Sequence, residues 1–232
     1  MTWIKNNLEG LTGLVTAIVA VLGIFISYMT IRLTKRENKL KSEESRSERF
    51  SRAIAHLKDE SVAIRLGALF DLKELYEGSE VDSKKLATIL TSFVREHIEN
   101  EQFILPPFLG RHRRRVDQDV YLAADILSTL YDKYGIVYNL SHLQANGISL
   151  WGINLRGANL IQADLMDAGF READLRNVDL WDAYLQKANL QDVDLRGAKH
   201  LHALQLVYSI INDTTLLDPD LRAEYEKKIQ EA

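Results

Sequence analysis

Four groups of side chains in this 232-residue sequence are of types that do chemistry. Asp164, Asp174, Asp179 and Asp194 recur at close spacing, and two carboxylates a few ångströms apart are the machinery of glycoside hydrolysis. Each of them, however, immediately precedes a Leu in a five-residue cycle, where the side chain points outward and can bond the turn backbone. His200 and His202 are spaced as imidazole ligands on a strand can be, but no third ligand stands near and His200 falls on an inward position of the cycle. Arg111, His112, Arg113, Arg114 and Arg115 make the densest charge cluster. Arg111, Arg113, Arg114 and Arg115 are candidate contacts for an anion or a lipid headgroup, against the plainer reading of a solvated loop beside Asp117 and Asp119. A nucleic-acid footprint covers a whole face and carries stacking aromatics, so nucleic acid is not expected as a partner. Arg65 lies in a very apolar segment, where a guanidinium needs a carboxylate or backbone carbonyls. His56, His97, His112 and His142 stand without a Ser or Asp partner motif, there is no cysteine, and no phosphate loop, G-x-G-x-x-G or H-E-x-x-H occurs. No catalytic, cofactor-binding or metal residue is assigned, and no enzyme is expected.

The element that must position the aspartates runs from Ile148 to Gly197. Leu or Phe occupies every multiple of five from Leu150 to Leu195, with Ala, Val or Ile two residues earlier. A period of five fits neither a helix nor an ordinary strand, so each pentad must turn a corner before the next begins, which is a solenoid pattern. In the four-sided β-helix that the family resemblance given below implies, four pentads make a coil and residues twenty apart share one column at about 4.8 Å. One face then carries Arg156, Arg176 and Arg196 beside Asp174 and Asp194, a set of offsetting charges. Another carries Ile161, Trp181 and Leu201 outward, with Met166 and Tyr184 adjoining. An apolar column on a polar solenoid is a candidate interaction surface. Its cover is either the segment Val120 to Tyr131, the closing segment Leu204 to Leu217, or a partner.

Pentads such as Ala158-Asn-Leu-Ile-Gln162 and Ala163-Asp-Leu-Met-Asp167 resemble those of the pentapeptide-repeat proteins. The resemblance implies a right-handed, four-sided β-helix. Glu48-Arg-Phe50, Ala63-Ile-Arg-Leu-Gly67, Leu90 to Glu96 and Asp119-Val120 are similar to a helical module that stands between a membrane span and such repeats in bacterial proteins. Gln205-Leu206, Asp213, Thr215, Leu217 and a displaced Pro219 resemble the family's closing segment. The likeness covers about Ser47 to Leu221.

Ahead of that module, Gly10 to Ile31 is a run of 22 uncharged residues, long enough for a bilayer core of about 30 Å as a helix. It is read as a retained transmembrane helix with Trp3 and Tyr28 at its interfaces. Arg32, Lys35, Arg36, Lys39 and Lys41 follow it, which places the amino terminus outside and the rest in the cytoplasm, single-pass in the inner (plasma) membrane. Gly13 with Ala17, and Thr12, Thr16 and Ala20, would let two such helices pair. No Gly or Pro occurs from Ile24 to Lys58, so the helix can continue as a stalk. Four amphipathic segments then follow, on Phe50 to Leu57, Val62 to Tyr76, Leu86 to Val94 and Val120 to Tyr131. Asp82 or Ser83 caps the third and Asp117 the fourth, with Gly78 stopping the second. The second is apolar on more than one side and is expected at the centre.

The expected fold class is therefore α+β: an anchor over 1–34 (span about 10–31), a stalk over 35–58, a small all-α, HEAT-like domain over 47–137, a β-helix over 138–207, and a cap with tail helix over 208–232. Composition is ordinary for a globular chain, 46% hydrophobic and 27% charged with a net charge of -4. The leading expectation is a non-enzymatic, membrane-tethered scaffold that binds a protein partner or another copy, without cofactor. The alternative is a membrane effector of a stress or phage-defence response whose spans assemble and perturb the bilayer. Some relatives of the repeat family imitate duplex DNA and bind topoisomerase. Eight acids against six bases between Ile148 and His202 make a poor duplex, which argues against that reading here.

Overall fold

The computed structural model describes the backbone of residues 2–77, 82–100 and 114–231. Gly78, Pro106, Pro107, Arg111, His112 and Arg113 lie outside the described residues, as do the side chains of Arg114, Arg115 and residues 2–24. The elements in order are α1 (Thr2–His56), α2 (Val62–Glu77), α3 (Ser83–Asn100), β1 (Arg114–Arg115), α4 (Gln118–Tyr134), β2 (Ile148–Ser149), α5 (Ala203–Val207) and α6 (Pro219–Glu231). Met1–Ser51 is one compact unit and Arg52–Ala232 a second, so the later helices and the repeats are built together.

α1 is continuous for 55 residues, as the absence of Pro and the lack of any Gly after Gly23 allow. The transmembrane expectation is corrected: among the described residues no helix is long and apolar enough to cross a membrane. The first side chains of α1 that are described begin at Phe25, and Arg32, Lys35 and Arg36 follow within three turns, which leaves no apolar window of spanning length among the described side chains. The side chains of most of Gly10 to Ile31 lie outside the described residues. The anchor, the single-pass plasma-membrane placement and the outside-to-cytoplasm orientation are withdrawn with it.

In the second unit, α4 packs against both α2 and α3. α3 begins where Asp82 Oδ1 accepts the Lys84 N–H at 2.9 Å, and α4 ends at Gly135, whose left-handed backbone sends its N–H to Tyr131 O. α2 buries Arg65, Ala68, Leu69, Leu72, Leu75 and Tyr76. It is not buried all round, because Phe70 is 59% and Ile64 41% exposed. Its one buried face turns toward α4, while Val62 and Leu66 are half-buried and Ile64 and Phe70 stay in solvent.

The repeats close into four faces, defined by isolated parallel bridges. These columns are Asn139–Asn159–Asp179–Lys199, Gln144–Asp164–Tyr184, Ser149–Gly169–Asn189–Ile210 and Asn154–Asp174–Asp194–Leu216, the first to fourth faces. Two residues of each pentad point inward and two make the turn, which leaves one to bridge. That is why regular strand is confined to β1 and β2, and the expected α+β balance is corrected to a chain that is mostly helical with little strand. The turn residue two after each central inward residue is left-handed throughout, at Gln162, Asp167, Glu172, Asn177, Asp182, Lys187 and Asp192, and at Gly147, Gly152, Gly157 and Gly197. A non-Gly residue there costs about 1 kcal/mol. At Gln162, Asp167, Glu172 and Asn177 the cost is offset because the N–H reaches the turn carbonyl of the next coil, as Gln162 does to Trp181 O at 2.8 Å, and Asp192 N–H reaches Asn212 Oδ1 of the closing segment instead. The outward Asp or Asn completes the corner: Asn159, Asp164, Asp174, Asp179 and Asp194 each accept the N–H two residues on, at 3.0 to 3.2 Å. The aspartates are turn fasteners, as the cycle implied.

The first coil has no preceding coil, so its outward-facing backbone groups need other partners. On the first face Arg95 of α3 donates to Asn139 O at 3.1 Å and Ser141 O at 2.9 Å. On the second, Glu99 Oε1 accepts Gln144 N–H at 3.3 Å. On the third, β1 pairs in parallel with β2. On the fourth, Ser128 of α4 donates to Asn154 O at 3.1 Å. The helical layer is thus the cap that keeps the solenoid's open end from presenting an unpaired edge. Arg95→Met is expected to cost about 1 kcal/mol, because one part-buried and one exposed carbonyl lose a charged donor. A urea midpoint unmoved at constant slope would exclude Arg95 as a cap.

Candidate interaction face of the solenoid

The apolar column is displaced from its expected composition at its upper end. Bridges are twenty residues apart as far as Asp179↔Lys199, then Asn189 pairs with Ile210 and Asp194 with Leu216, so residues have been inserted after Lys199. His200 adopts the left-handed turn conformation and is exposed, while Leu201 turns inward and is only 7% exposed. Both expectations are therefore reversed: His200 is not inward and Leu201 is not on the surface. The slip puts the His200 ring 5.5 Å from Trp181 in place of Leu201.

Trp181 is 55% and Tyr184 52% exposed, with Ile161 and Met166 half-buried below them. The outward pose of Trp181 is held from behind. Asp179 Oδ1 accepts the Trp181 N–H at 3.2 Å and meets His200 Nδ1 at 2.8 Å. The expected cover from Val120 to Tyr131 lies elsewhere. α4 sits on the fourth face, where Ser128 bonds Asn154 O, Arg156 Nη1 meets Asp132 at 3.0 Å, and the Tyr131 ring occupies the space that a Cβ on Gly157 would need. The closing segment does not cover Trp181 either. α5 is bonded to the backbone on both sides of it, Gln205 Nε2 reaching Leu180 O at 3.2 Å and Ala183 O at 3.0 Å, yet Leu204 and Tyr208 remain 57% and 64% exposed. The exposed apolar set thus continues from the repeats onto α5.

The other two faces are chemically spent on themselves. On the fourth, Arg176 pairs with Asp174 and also lies 3.6 Å from Asp194, while Arg196 pairs with Asp194 at 2.6 Å. The Arg196 guanidinium holds the Asp194 carboxyl below the usual range. Its contribution to stability is therefore present above the ordinary Asp pKa and is lost as pH falls through that lowered value. On the third face Asp192 accepts from Thr214 and Asn212 and pairs with Arg171 at 3.1 Å, which fastens the closing segment. The Thr214 hydroxyl is the main reason its carboxyl too is lowered.

Arg111 and Arg113, and the side chains of Arg114 and Arg115, lie outside the described residues; the backbone of Arg114 and Arg115 forms β1. Arg65 has found both partners its setting demanded, two carboxylates and two backbone carbonyls. Among the described residues no set of His, Cys, Asp or Glu could hold a metal ion. Sequence reasoning missed Arg95, Glu99 and Ser128 as caps. The only trace of them is that Arg95 and Glu99 stand four apart on one helix face.

Residues 139–171 and 163–199 match the family model of pentapeptide repeats, in eight copies. Similar solved structures include a pentapeptide repeat protein (Rfr23) from the cyanobacterium Cyanothece 51142, 28% identical over 35% of this chain and 54% of that one, with a TM-score of 0.32. Another is alr5209, a pentapeptide repeat protein from Nostoc Pcc 7120, 27% identical over 38% of this chain and 81% of that one, TM-score 0.29. QnrB1, a plasmid-mediated fluoroquinolone resistance protein, is 18% identical over 40% of this chain and 41% of that one, TM-score 0.24. The chain spans about half the length of the first of these. No curated protein matches it.

Proposed function

We propose that this chain, a pentapeptide-repeat protein, is a non-enzymatic scaffold that docks a protein partner on the first and second faces of its β-helix. The observation that carries the reading is the exposure of Trp181 and Tyr184 on a rigid wall, with Leu204 and Tyr208 continuing it. Soluble surfaces seldom leave such a set uncovered, and rigid aromatic anchors dominate the energetics of interfaces. The backbone beside them is held by bonds to the neighbouring coil and to α5, as at Tyr184 N–H to Ala163 O and Gln205 to Leu180 O and Ala183 O, so little ordering entropy opposes docking. Imitation of duplex DNA is not favoured, since Asp174, Asp192 and Asp194 are engaged by arginines and by the closing segment.

Trp181→Ala in the full chain separates docking from packing. An exposed indole contributes little to folding, so stability should move by no more than about 0.5 kcal/mol, while cross-linking to the partner in native cells, or to a second copy, is lost. A large fall in melting temperature would mean that Trp181 belongs to the internal packing, and the reading would fail.

A further inference from the structure

The charges of the solenoid are sorted by face. All four arginines between Ile148 and His202, namely Arg156, Arg171, Arg176 and Arg196, stand on the third and fourth faces. The first and second faces, which carry Trp181 and Tyr184, hold Asp164, Asp167, Asp179 and Asp182 and only Lys187 and Lys199 in return. None of these four carboxylates pairs with a Lys or Arg among the described residues, and the one ionisable partner is His200 on Asp179. Asp167 and Asp182 are exposed at left-handed turn positions, the latter directly beside Trp181. The same fold thus pairs its acids with arginines on two faces, and leaves Asp167 and Asp182 without a cationic partner among the described residues on the two that carry Trp181 and Tyr184.

We infer that the occupant of this face is a cationic segment of a protein partner, with Lys or Arg side chains interleaved with apolar ones; the inference rests on the docking role proposed for Trp181. A guanidinium suits both parts of the surface. Its flat face stacks on an indole, and its edge donates to a carboxylate beside it. An acidic or purely apolar partner would leave Asp167 and Asp182 facing like charge or buried without a partner, which selects against it. A second copy presenting the same face would bring acid against acid across a twofold axis, so self-association through this face is disfavoured.

The test uses the full chain and three fluorescently labelled octapeptides, alternating Arg-Leu, Glu-Leu and Arg-Ser, followed by anisotropy at low and at physiological salt. The Arg-Leu peptide should bind, and the Glu-Leu peptide should not. Trp181→Ala should weaken binding by about tenfold, and Trp151→Ala, on the third face, should leave it unchanged. The pair Asp167→Asn and Asp182→Asn keeps side chains that tolerate the left-handed backbone. It should weaken binding by about threefold or more and flatten the salt dependence. Equal binding of the Glu-Leu peptide, or no binding of the Arg-Leu peptide, overturns the inference. Arg-Ser binding as strong as Arg-Leu, with no effect of Trp181→Ala, also overturns it, since that is attraction to charge alone. If Trp181→Ala abolishes binding while the Asn pair changes neither affinity nor salt slope, the docking face stands and the cationic partner falls. If neither variant matters, both fall together.

Discussion

Leu175→Asp in the full chain should abolish the cooperative unfolding transition of the repeats. Leu175 is fully buried in a middle coil. Its N–H donates to Asp194 O at 2.9 Å above, and Asp174 N–H beside it donates to Ile153 O at 3.0 Å below, so its backbone cannot move without opening two coil junctions. A carboxylate there has no polar partner within the apolar interior of Leu155, Leu195 and the inward Ala and Val residues, and burial of an unpaired charge costs far more than a small domain's margin of stability. Leu175→Ala, which leaves only a cavity, should cost about 2 to 5 kcal/mol. Urea titration followed by circular dichroism and by amide exchange on the repeats measures both. A Leu175→Asp chain that melts like the parent would mean that the inward register is wrong.

That register is the part of the molecule most legible in the sequence, because a pentad permits one geometry and repeats it. The boundaries of α2, α3 and α4 were nearly as plain: Val62, Asp82 or Ser83, and Asp117 marked their starts, and the structure begins them at Val62, Ser83 and Gln118. The need of Arg65 for partners was readable too, since an ion in an apolar helix must be paired somewhere. What could not be read depends on which element lies against which. Arg95 caps the first face only because α3 runs beneath it, and nothing in its neighbours in sequence says so. His200 breaks the column because the chain admits extra residues after Lys199, an insertion that a strict count of five cannot register. The uncharged run before Arg32 shows the opposite failure. Its composition is clear, yet it lies within a single helix that continues through Lys35, Arg36, Lys39 and Lys41, and composition alone does not decide what such a helix does.

Asp119→Ala should be the most costly change outside the repeats, at about 3 to 5 kcal/mol. Arg65 is 6% exposed, and its guanidinium makes a compact knot: Nε donates to Asp119 Oδ2, Nη2 to Asp117 Oδ2 at 3.2 Å, and Nη1 to both Asp59 O and Glu60 O at 2.9 Å. The knot therefore ties the turn before α2, the start of α2 and the start of α4. Asp119 is fully buried, so without it the guanidinium keeps its desolvation cost and loses its closest counter-charge. Asp117 is half exposed, and Asp117→Ala should cost less than about 1 kcal/mol because water can replace it. The effect of Asp119→Ala should also spread. α4 carries Ser128, Tyr131 and Asp132 onto the first coil, so amide exchange should rise at Asn154 to Gly157 as well as within α4. Replacing the pair together, Arg65→Met with Asp119→Leu, should restore much of the loss, since the penalty comes from the unpaired ion rather than from the missing bond. Equal losses for Asp117→Ala and Asp119→Ala, or no rescue in the double variant, would show that the buried pair is not what holds α4 to α2.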